Sequence, residues 1–268
     1  MAKIFHYSIS STVLAVLLTT CVLVFSRAVR SEVQKWSDIG MNGTTPKLGF
    51  IPMPENNEST LIWVQGTNRT NTKNWSSRIQ SSLETYYYEK KYVSRKSCSY
   101  IDPPKSGEVC NIDIREWGPC NQERYYNYHM NAPCIFLKLN KIQGWVPEYY
   151  NDTNNLPEDM PQQLKDLIKY NITRPEERNN IWISCTGETS ADMEYLGPIK
   201  YYPSHQGFPG YYFPYTNSKD YFSPLIAVHF KRPASGVVLN IECRAWAKNI
   251  KYNKDDKSGF VHFELYIE

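Results

Sequence analysis

Charge of one sign is what this 268-residue chain has little of. Its 30 basic and 27 acidic side chains leave a formal charge of +3, which excludes a strongly basic nucleic-acid binder and an acidic tail protein. A mean hydropathy of −0.55 excludes a multi-pass membrane protein. The hydrophobic fraction of 41% is enough for a core, and the length suggests one or two domains.

Familiar catalytic and nucleotide-binding motifs are also missing. No glycine is followed by lysine, so a Walker A phosphate-binding loop is absent. None of the 5 histidines belongs to an HExxH motif, and no GxSxG nucleophile elbow occurs. No CxxC pair and no Cys/His spacing suits zinc. We therefore predict that the chain is not an enzyme and that it holds no cofactor, no metal and no nucleic acid.

One long apolar stretch is present near the N-terminus. Residues 4–26 contain no Lys, Arg, Asp or Glu, and the densest part is VLAVLLTTCVLVF at 13–25. Because about 20 apolar residues span a bilayer as a helix, we predict a transmembrane signal-anchor over 4–26, behind a very short cytoplasmic tail at 1–3. A signal peptide cleaved after Ser26 or Ala28 and a buried soluble helix are the alternatives.

Glycosylation sequons bear on the orientation of this segment. Arg27, Arg30 and Lys35 mildly favour a cytoplasmic location for the chain that follows it. Asn-X-Ser/Thr sequons oppose that orientation, because N-linked glycans are carried on exposed parts of secreted domains. We give the sequons more weight and predict N-linked glycans at Asn42, Asn57, Asn68, Asn74, Asn151 and Asn171.

The 7 cysteines support the same compartment. Cys21 lies inside the apolar stretch and is interpreted as a free thiol. The others form an even set, which predicts three disulfides without fixing their connectivity. They are Cys98, Cys110, Cys120, Cys134, Cys185 and Cys243. Bridges Cys98–Cys110 and Cys120–Cys134 would each close a short loop.

Period-two alternation of apolar and polar residues recurs over 135–140, 181–185, 237–246 and 260–267. Such alternation predicts a mainly β fold, an antiparallel sandwich with one buried face per sheet, in an extracellular domain over 61–268. Polar residues 27–60 are predicted to form a juxtamembrane tether. Cys185 and Cys243 both fall on apolar strand faces. A bridge between them would cross the core and pin the two sheets, as in immunoglobulin-like sandwiches.

Two helices are predicted to pack on this sandwich. The first has Asn74 as its N-cap and a buried stripe that includes Ile79 and Leu83. The second has Asp159 as a cap and Pro161 in its first turn. Its apolar face consists of Met160, Leu164, Leu167 and Ile168.

The aromatic segment YYPSHQGFPGYYFPY covers 201–215 and continues at Tyr221-Phe222. Tyrosine combines apolar area with a hydrogen-bonding hydroxyl, which suits protein–protein contacts. A loop folded back over its own sandwich is the alternative, and the residues do not decide between the two. The candidate partner-binding residues are Tyr201, Tyr202, Tyr211, Tyr212, Phe213, Tyr215 and Tyr221.

Several motifs between residues 46 and 268 resemble the β subunit family of the sodium/potassium-transporting ATPase, which the gastric proton/potassium pump shares. The motifs are PKLGFIPMPE, APCIFLKLNKIQGWVPE, ISCTGE, GPIKYYP, YFPY, YFSPLIAVHF, IECRAWAKNI and GFVHFELYIE. Six cysteines stand among these motifs in the family's order.

The resemblance implies a type II plasma-membrane glycoprotein, with one helix in the lipid bilayer and an immunoglobulin-like domain outside. It implies sequential bridges Cys98–Cys110, Cys120–Cys134 and Cys185–Cys243. It also implies a non-catalytic partner of the catalytic α subunit of a P-type cation pump, one that supports the folding, delivery and transport activity of α. Stretches 201–215 and 221–230 are then the candidate contacts with an extracellular loop of α. An adhesion glycoprotein that uses the same domain without α is the alternative function.

Overall fold

The computed structural model describes residues 46–56, 58–87, 95–216, 221–255 and 257–268. The predicted membrane segment, Cys21, Asn42 and Asn57 lie outside these residues. Within the described ranges, no helix combines the length and the apolar character that crossing a membrane requires. In the same ranges, no group of His, Cys, Asp and Glu side chains is placed to hold a metal ion.

Two β-sheets form the centre of the domain, and all four stretches predicted from alternation are confirmed as strands. A four-stranded sheet has the order β1-β5-β9-β7, with β1 (Leu48–Ile51), β5 (Cys134–Leu139), β7 (Ile199–Tyr202) and β9 (Leu225–Phe230). A five-stranded sheet has the order β2-β11-β10-β6-β8, with β2 (Leu61–Val64), β6 (Asn180–Gly187), β8 (Gly207–Pro209), β10 (Val238–Trp246) and β11 (Phe260–Ile267). Strands β3 (Arg95–Lys96) and β4 (Val109–Cys110) form a separate pair.

The core lies between the inner faces of the two large sheets. The Phe263 ring of the five-stranded sheet is 5.0 Å from the Phe50 ring and 6.1 Å from the Phe230 ring of the four-stranded sheet. Leu137 and Ile226, which pair across β5 and β9, are fully buried. The mainly β prediction is therefore confirmed in the described part of the chain.

Two strand assignments differ from the sequence prediction. β2 runs parallel to β11, pairing Ile62 with Leu265, so the five-stranded sheet is mixed and not purely antiparallel. Leu48–Ile51, which the sequence analysis placed in the tether, pairs with β5 as an edge strand. Leu48, Phe50 and Ile51 are buried against the sandwich, because β1 completes one edge of the four-stranded sheet. The sandwich therefore includes residues that precede the predicted domain start at 61.

The first helix, α1 (Arg69–Tyr87), buries Ile79 and Leu83 as predicted, but it begins earlier than expected. The Oδ1 atom of Asn68 accepts hydrogen bonds from the amides of Thr70 and Asn71, which is the geometry of an N-cap. The prediction of Asn74 as the cap is wrong, since this residue lies inside the helix on its exposed side.

The outer faces of both sheets are covered in part. The prediction of one buried face per sheet therefore holds for β10 and β11, where burial alternates, but fails for β5, β6 and β9, which are buried on both faces. The four-stranded sheet is covered by α1 and by a 3-10 segment (Gln122–Met130), whose Tyr126 ring lies 5.7 Å from the Phe136 ring. The five-stranded sheet is covered by α2 (Gln162–Asp166) and a π turn (Leu167–Asn171). Buried Leu164 and Ile168 from this cover pack in one cluster with Trp182. Short elements remote in sequence therefore bury faces that a solvent-exposed sheet would leave polar.

The predicted Asp159 cap of α2 is also wrong, because the N-cap position is occupied by Pro161, which makes no side-chain hydrogen bond to the helix. Asp159 forms an ion pair with Arg244, with 2.6 Å between Oδ2 and Nη1. The Arg244 guanidinium lies 3.7 Å from the Trp246 ring centroid and 4.5 Å from that of Tyr252. The third helix, α3 (Ser190–Leu196), has a complete capping box between Thr189 and Asp192.

Three disulfides join Cys98 to Cys110, Cys120 to Cys134 and Cys185 to Cys243, with sequence separations of 12, 14 and 58. The expectation that the third bridge crosses the core between sheets is wrong. Cys185 and Cys243 are directly opposite each other on neighbouring strands β6 and β10 of the five-stranded sheet. Their side chains lie on the inner face, as the alternation indicated, but the bridge ties two strands of one sheet.

Candidate partner interface

The seven candidate partner-binding residues fall in three places along one part of the fold. Tyr201 and Tyr202 end the edge strand β7, and Tyr211 and Tyr212 form a 3-10 turn (Gly210–Tyr212). The remaining three lie in the connection from that turn to β9, at Phe213, Tyr215 and Tyr221. All seven side chains are partly buried, and we refer to them together as the aromatic belt.

The Tyr201 side chain points between the two sheets and is hydrogen-bonded there. Its hydroxyl accepts a hydrogen bond of 2.9 Å from the backbone amide of Cys185 in the facing sheet. Burial raises the pKa of Tyr201 to about 12. This residue therefore joins the two sheets, and self-packing is the better account of it.

Tyr202 points to the other face of β7 and covers a turn of the cysteine-rich region. A Cβ atom on Gly118 would lie 2.7 Å from the Tyr202 hydroxyl, and Gly118 has a φ of +56° that favours glycine. The Lys200 Nζ lies 5.0 Å from the centroid of the Tyr202 ring. The Tyr202 ring therefore packs against Gly118 and also lies within cation–π distance of Lys200.

Tyr211 and Tyr212 pack against residues 98–111, a cysteine-rich excursion from the sandwich. Tyr211 meets Tyr100 edge-to-face with 5.1 Å between centroids, and the Tyr212 hydroxyl donates a hydrogen bond of 3.1 Å to the carbonyl of Asn111. Burial raises the pKa of Tyr212. Both rings are part of the packing between the 98–111 excursion and the sandwich.

The last three members surround a lysine and a tryptophan that the sequence analysis did not select. Phe213 meets Trp145 edge-to-face at 5.7 Å, and the Tyr215 and Tyr221 rings are 4.8 Å apart. The Lys141 Nζ lies 5.3 Å from the Tyr215 centroid. It also donates a hydrogen bond of 3.4 Å to the carbonyl of Tyr221. Exposed Pro214 and Thr216 flank Tyr215, so this end of the belt offers the most accessible surface.

Lys138 is a second lysine that alternation alone could not single out, because period-two alternation over 135–140 predicts a polar, solvent-facing side chain at this position of β5. It lies on the covered outer face, and burial together with neighbouring Lys141 lowers its pKa to about 8. The sequence gives no signal for a buried lysine here, since the burial of Lys138 comes only from the segments that cover the outer face of the sheet. Its ammonium therefore loses its proton far more readily than an exposed lysine does.

The predicted sequons that the structure describes are all on the surface. Asn68, Asn74, Asn151 and Asn171 each have exposed side chains. Asn68 and Asn74 lie at α1, Asn151 lies in the connection after β5, and Asn171 ends the π turn over the five-stranded sheet. Their positions are compatible with glycans, and occupancy stays a prediction.

His229 of β9 is buried under the 3-10 segment, in surroundings that disfavour its protonated form. The Nδ2 amide of Asn127 lies 3.1 Å from its Nε2 atom, so Nε2 accepts in the neutral ring. Burial lowers the pKa of His229, and the charges of Lys231 and Lys200 lower it further. The unfolded chain, with an ordinary histidine pKa of about 6.5, therefore binds a proton before the folded chain does. The stability that the neutral ring contributes is complete above that value and is lost as the pH falls below it.

A His229→Gln variant is accordingly expected to lose less of its thermal stability between pH 7 and pH 5 than the parent chain. Glutamine can keep an acceptor for Asn127 but takes up no proton in this range. Melting temperatures measured by fluorescence across this pH range test the prediction. His129→Gln, at an exposed position, is the matched control. Equal pH profiles for the parent and the His229→Gln variant contradict it.

The described residues define the class of protein first: it is a mainly β, disulfide-bonded domain with a partly buried aromatic belt. The family model of the sodium/potassium ATPase beta chain matches residues 2–263. The chain therefore belongs to the sodium/potassium ATPase beta chain family.

Three relatives show how far the likeness extends. Sodium/potassium-transporting ATPase subunit beta-2 of Drosophila melanogaster is 47% identical over 264 residues, which cover 96% of this chain and 81% of the relative. Subunit beta-1 of the same organism is 38% identical, over 98% of this chain and 84% of the relative. The human subunit beta-2 is 25% identical, over 95% of this chain and 82% of the relative.

Proposed function

We propose that this chain is the non-catalytic β subunit of a P-type sodium/potassium-transporting ATPase, which supports the folding, plasma-membrane delivery and cation transport of a catalytic α subunit. The observation that carries the proposal is the family match over residues 2–263, together with 47% identity to the Drosophila melanogaster subunit beta-2. The disulfide-bonded sandwich supports it as well, since structural disulfides persist in oxidising compartments.

The topology that accompanies this role is a single-pass type II membrane protein at the plasma membrane. Residues 4–26 would form the bilayer-spanning helix, and the immunoglobulin-like domain and its glycans would be extracellular. Two observations support this arrangement: the apolar length of residues 4–26 and the exposure of the four described sequons. A retained N-terminal peptide in the mass spectrum of the purified protein distinguishes the anchor from a cleaved signal.

The contact with α is proposed at the accessible end of the aromatic belt, around Tyr215 and Tyr221. Partly buried tyrosines with one edge accessible make large, rigid contacts at low entropic cost, and aromatic residues dominate interface energetics. Lys141 adds a cation near both rings. The inner part of the belt, from Tyr201 to Tyr212, serves the domain's own packing, so only the outer part is offered to α.

Co-expression of the tagged full-length chain with an α subunit tests the function. We expect α to co-purify in mild detergent and its delivery to the cell surface to fall when the chain is depleted. A chain that carries no α, and whose depletion leaves α delivery unchanged, contradicts the proposal. Adhesion between cells that express the chain without α would then favour the alternative glycoprotein function.

A Thr216→Arg variant tests the location of the interface. Thr216 is exposed beside Tyr215, so a long charged side chain there is expected to obstruct docking while leaving the core intact. Loss of a central interface contact costs about 2 kcal/mol or more, so we expect roughly thirtyfold or greater weakening of the affinity for α, measured by co-purification. Thr67→Arg, at an exposed position before α1, is the matched control. Equal recovery of α with both variants contradicts this placement of the interface.

A further inference from the structure

A cleft of about 460 Å³ opens between α1 and the 3-10 segment, and no residue of the aromatic belt lines it. Lys73, Ser77 and Gln80 line it from α1, and Asn121, Gln122 and Tyr125 line it from the other side. Its volume lies within the range of about 300–1,000 Å³ typical of small-ligand sites. Nothing in the proposed contact with α uses this cleft.

The wall of the cleft is built on a strained stretch of backbone. Tyr125, Tyr126 and Asn127 have successive φ values of 48°, 50° and 65°, a left-handed turn made without glycine. Left-handed backbone costs roughly 1–2 kcal/mol for each such residue. Strain of this kind persists only where surrounding contacts hold it, and it clusters at functional sites.

Two of the three residues are held by contacts inside the domain. The Tyr126 side chain is fully buried, and its hydroxyl is 3.0 Å from the hydroxyl of Tyr87. The Asn127 amide donates a hydrogen bond of 2.9 Å to the carbonyl of Ala132. The turn they maintain leaves Tyr125 52% exposed at the cleft. The strained turn therefore presents an aromatic ring to solvent at the cleft.

The chemistry of the lining suits an amide-bearing sugar. Gln80 and Gln122 carry side-chain amides, each with donors and an acceptor that can match hydroxyl and N-acetyl groups. An exposed tyrosine ring offers an apolar face for the C–H side of a pyranose and a hydroxyl at its tip. The lining also carries Lys73, Arg115 and Glu123, whose charges are of both signs and nearly cancel, so a neutral carbohydrate fits it better than a strongly charged ligand.

A carbohydrate attachment site lies beside this cleft. The sequon residue Asn74 directly follows Lys73 and lies three residues before Ser77, and both neighbours line the cleft. Helix residues three apart lie on the same side. The helix is fixed in this rotation because the indole of Trp75 donates a hydrogen bond of 2.7 Å to the carbonyl of Trp63, while Ser76 is buried. Asn74 is therefore exposed at the edge of the cleft.

We propose that the cleft holds the first N-acetylglucosamine units of the N-linked glycan carried by Asn74. The inference rests on the proposed function, because only an extracellular domain acquires such a glycan. The sugar would stack on Tyr125 and bond to the amides of Gln80 and Gln122. A glycan held in this way is shielded from enzymes at its core, whereas the glycan on Asn171 at the opposite sheet is not.

Native deglycosylation of the full-length chain in complex with α tests the proposal. The purified complex is treated for increasing times with an amidase that releases N-linked glycans, and each sequon is followed by glycopeptide mass spectrometry. We expect release at Asn74 to be about three- to tenfold slower than at Asn171, the size of effect that one aromatic contact and its hydrogen bonds produce. After denaturation the two sites are expected to be released at equal rates.

Substitutions separate stacking in the cleft from general crowding. Tyr125→Ser is expected to raise the rate at Asn74 to that of Asn171 and to leave Asn171 unchanged. Tyr170→Ser is the matched control, because Tyr170 is 75% exposed and directly precedes Asn171 without lining the cleft. If Tyr125→Ser does not fold, Gln80→Ala at the helix wall gives the same test, since it leaves the strained turn untouched.

Several outcomes overturn the inference. An unoccupied Asn74, equal native release rates at Asn74 and Asn171, or a rate at Asn74 that neither Tyr125→Ser nor Gln80→Ala changes would each do so. Such results leave the proposed function standing as long as α co-purifies. Absence of glycan from every sequon, or failure to recover α, is instead a failure of the proposed function itself.

Discussion

A chain in which Cys185 and Cys243 are both replaced by alanine is expected to lose about 4 kcal/mol of unfolding free energy, given the 58-residue separation that the bridge closes. The chain-entropy model assigns the stabilisation to the unfolded state, which the bridge restricts. Both sulfurs lie on the buried inner face, so alanine is used instead of serine, whose hydroxyl would be left without a hydrogen-bond partner in the core. Urea unfolding of the purified chain in detergent measures the loss.

The control for this prediction is the Cys98→Ala, Cys110→Ala double variant. That bridge closes only 12 residues and joins the small β3–β4 pair outside the sandwich. Its removal is expected to loosen the excursion held by Tyr211 and to shift the global transition less than removal of the Cys185–Cys243 bridge. An equal or larger shift for the control contradicts this account. A parent-like midpoint for the first variant contradicts it too.

The strand prediction succeeded where local pattern decides the structure. Alternation over 181–185 and 237–246 reports which residues share a face, because side chains on a strand have period two. It does not report which strands are neighbours. Cys185 and Cys243 on apolar faces are equally compatible with a bridge between sheets and a bridge within one. The pairing of β6 with β10 was therefore beyond what the pattern could reveal.

The helix and the candidate interface show the same limit. The stripe containing Ile79 and Leu83 predicted the buried face of α1. It did not predict where the helix begins, because Asn68 and Asn74 are equally good caps by residue type, and in the folded chain Asn68 is the cap. For the aromatic belt, composition predicted an important segment. Its partners Trp145 and Lys141 are distant in sequence with no characteristic spacing, so only the folded chain brings them together.

Trp182→Ala is expected to be the most damaging single substitution proposed for the described domain, at about 3–5 kcal/mol. The ring is fully buried between the five-stranded sheet and its cover, and its indole nitrogen donates a hydrogen bond of 3.3 Å to the carbonyl of Tyr150. Removing it leaves a cavity against Leu164 and Ile168 that the sheet cannot close. The loss is measured as the shift of the urea midpoint of the purified chain.

A second measurement locates the damage. If Trp182 holds the cover formed by α2 and the π turn, its loss should loosen that cover and speed tryptic cleavage after exposed Lys169. Trp63→Ala is the matched control, because Trp63 is 46% exposed on β2 of the same sheet and should cost about 1 kcal/mol. Faster cleavage with Trp63→Ala, or unchanged cleavage with Trp182→Ala, would mean that contacts other than this tryptophan hold the cover. Since the cover carries the Asn171 sequon and not the aromatic belt, α co-purification should fall only as far as global unfolding of the Trp182→Ala chain requires.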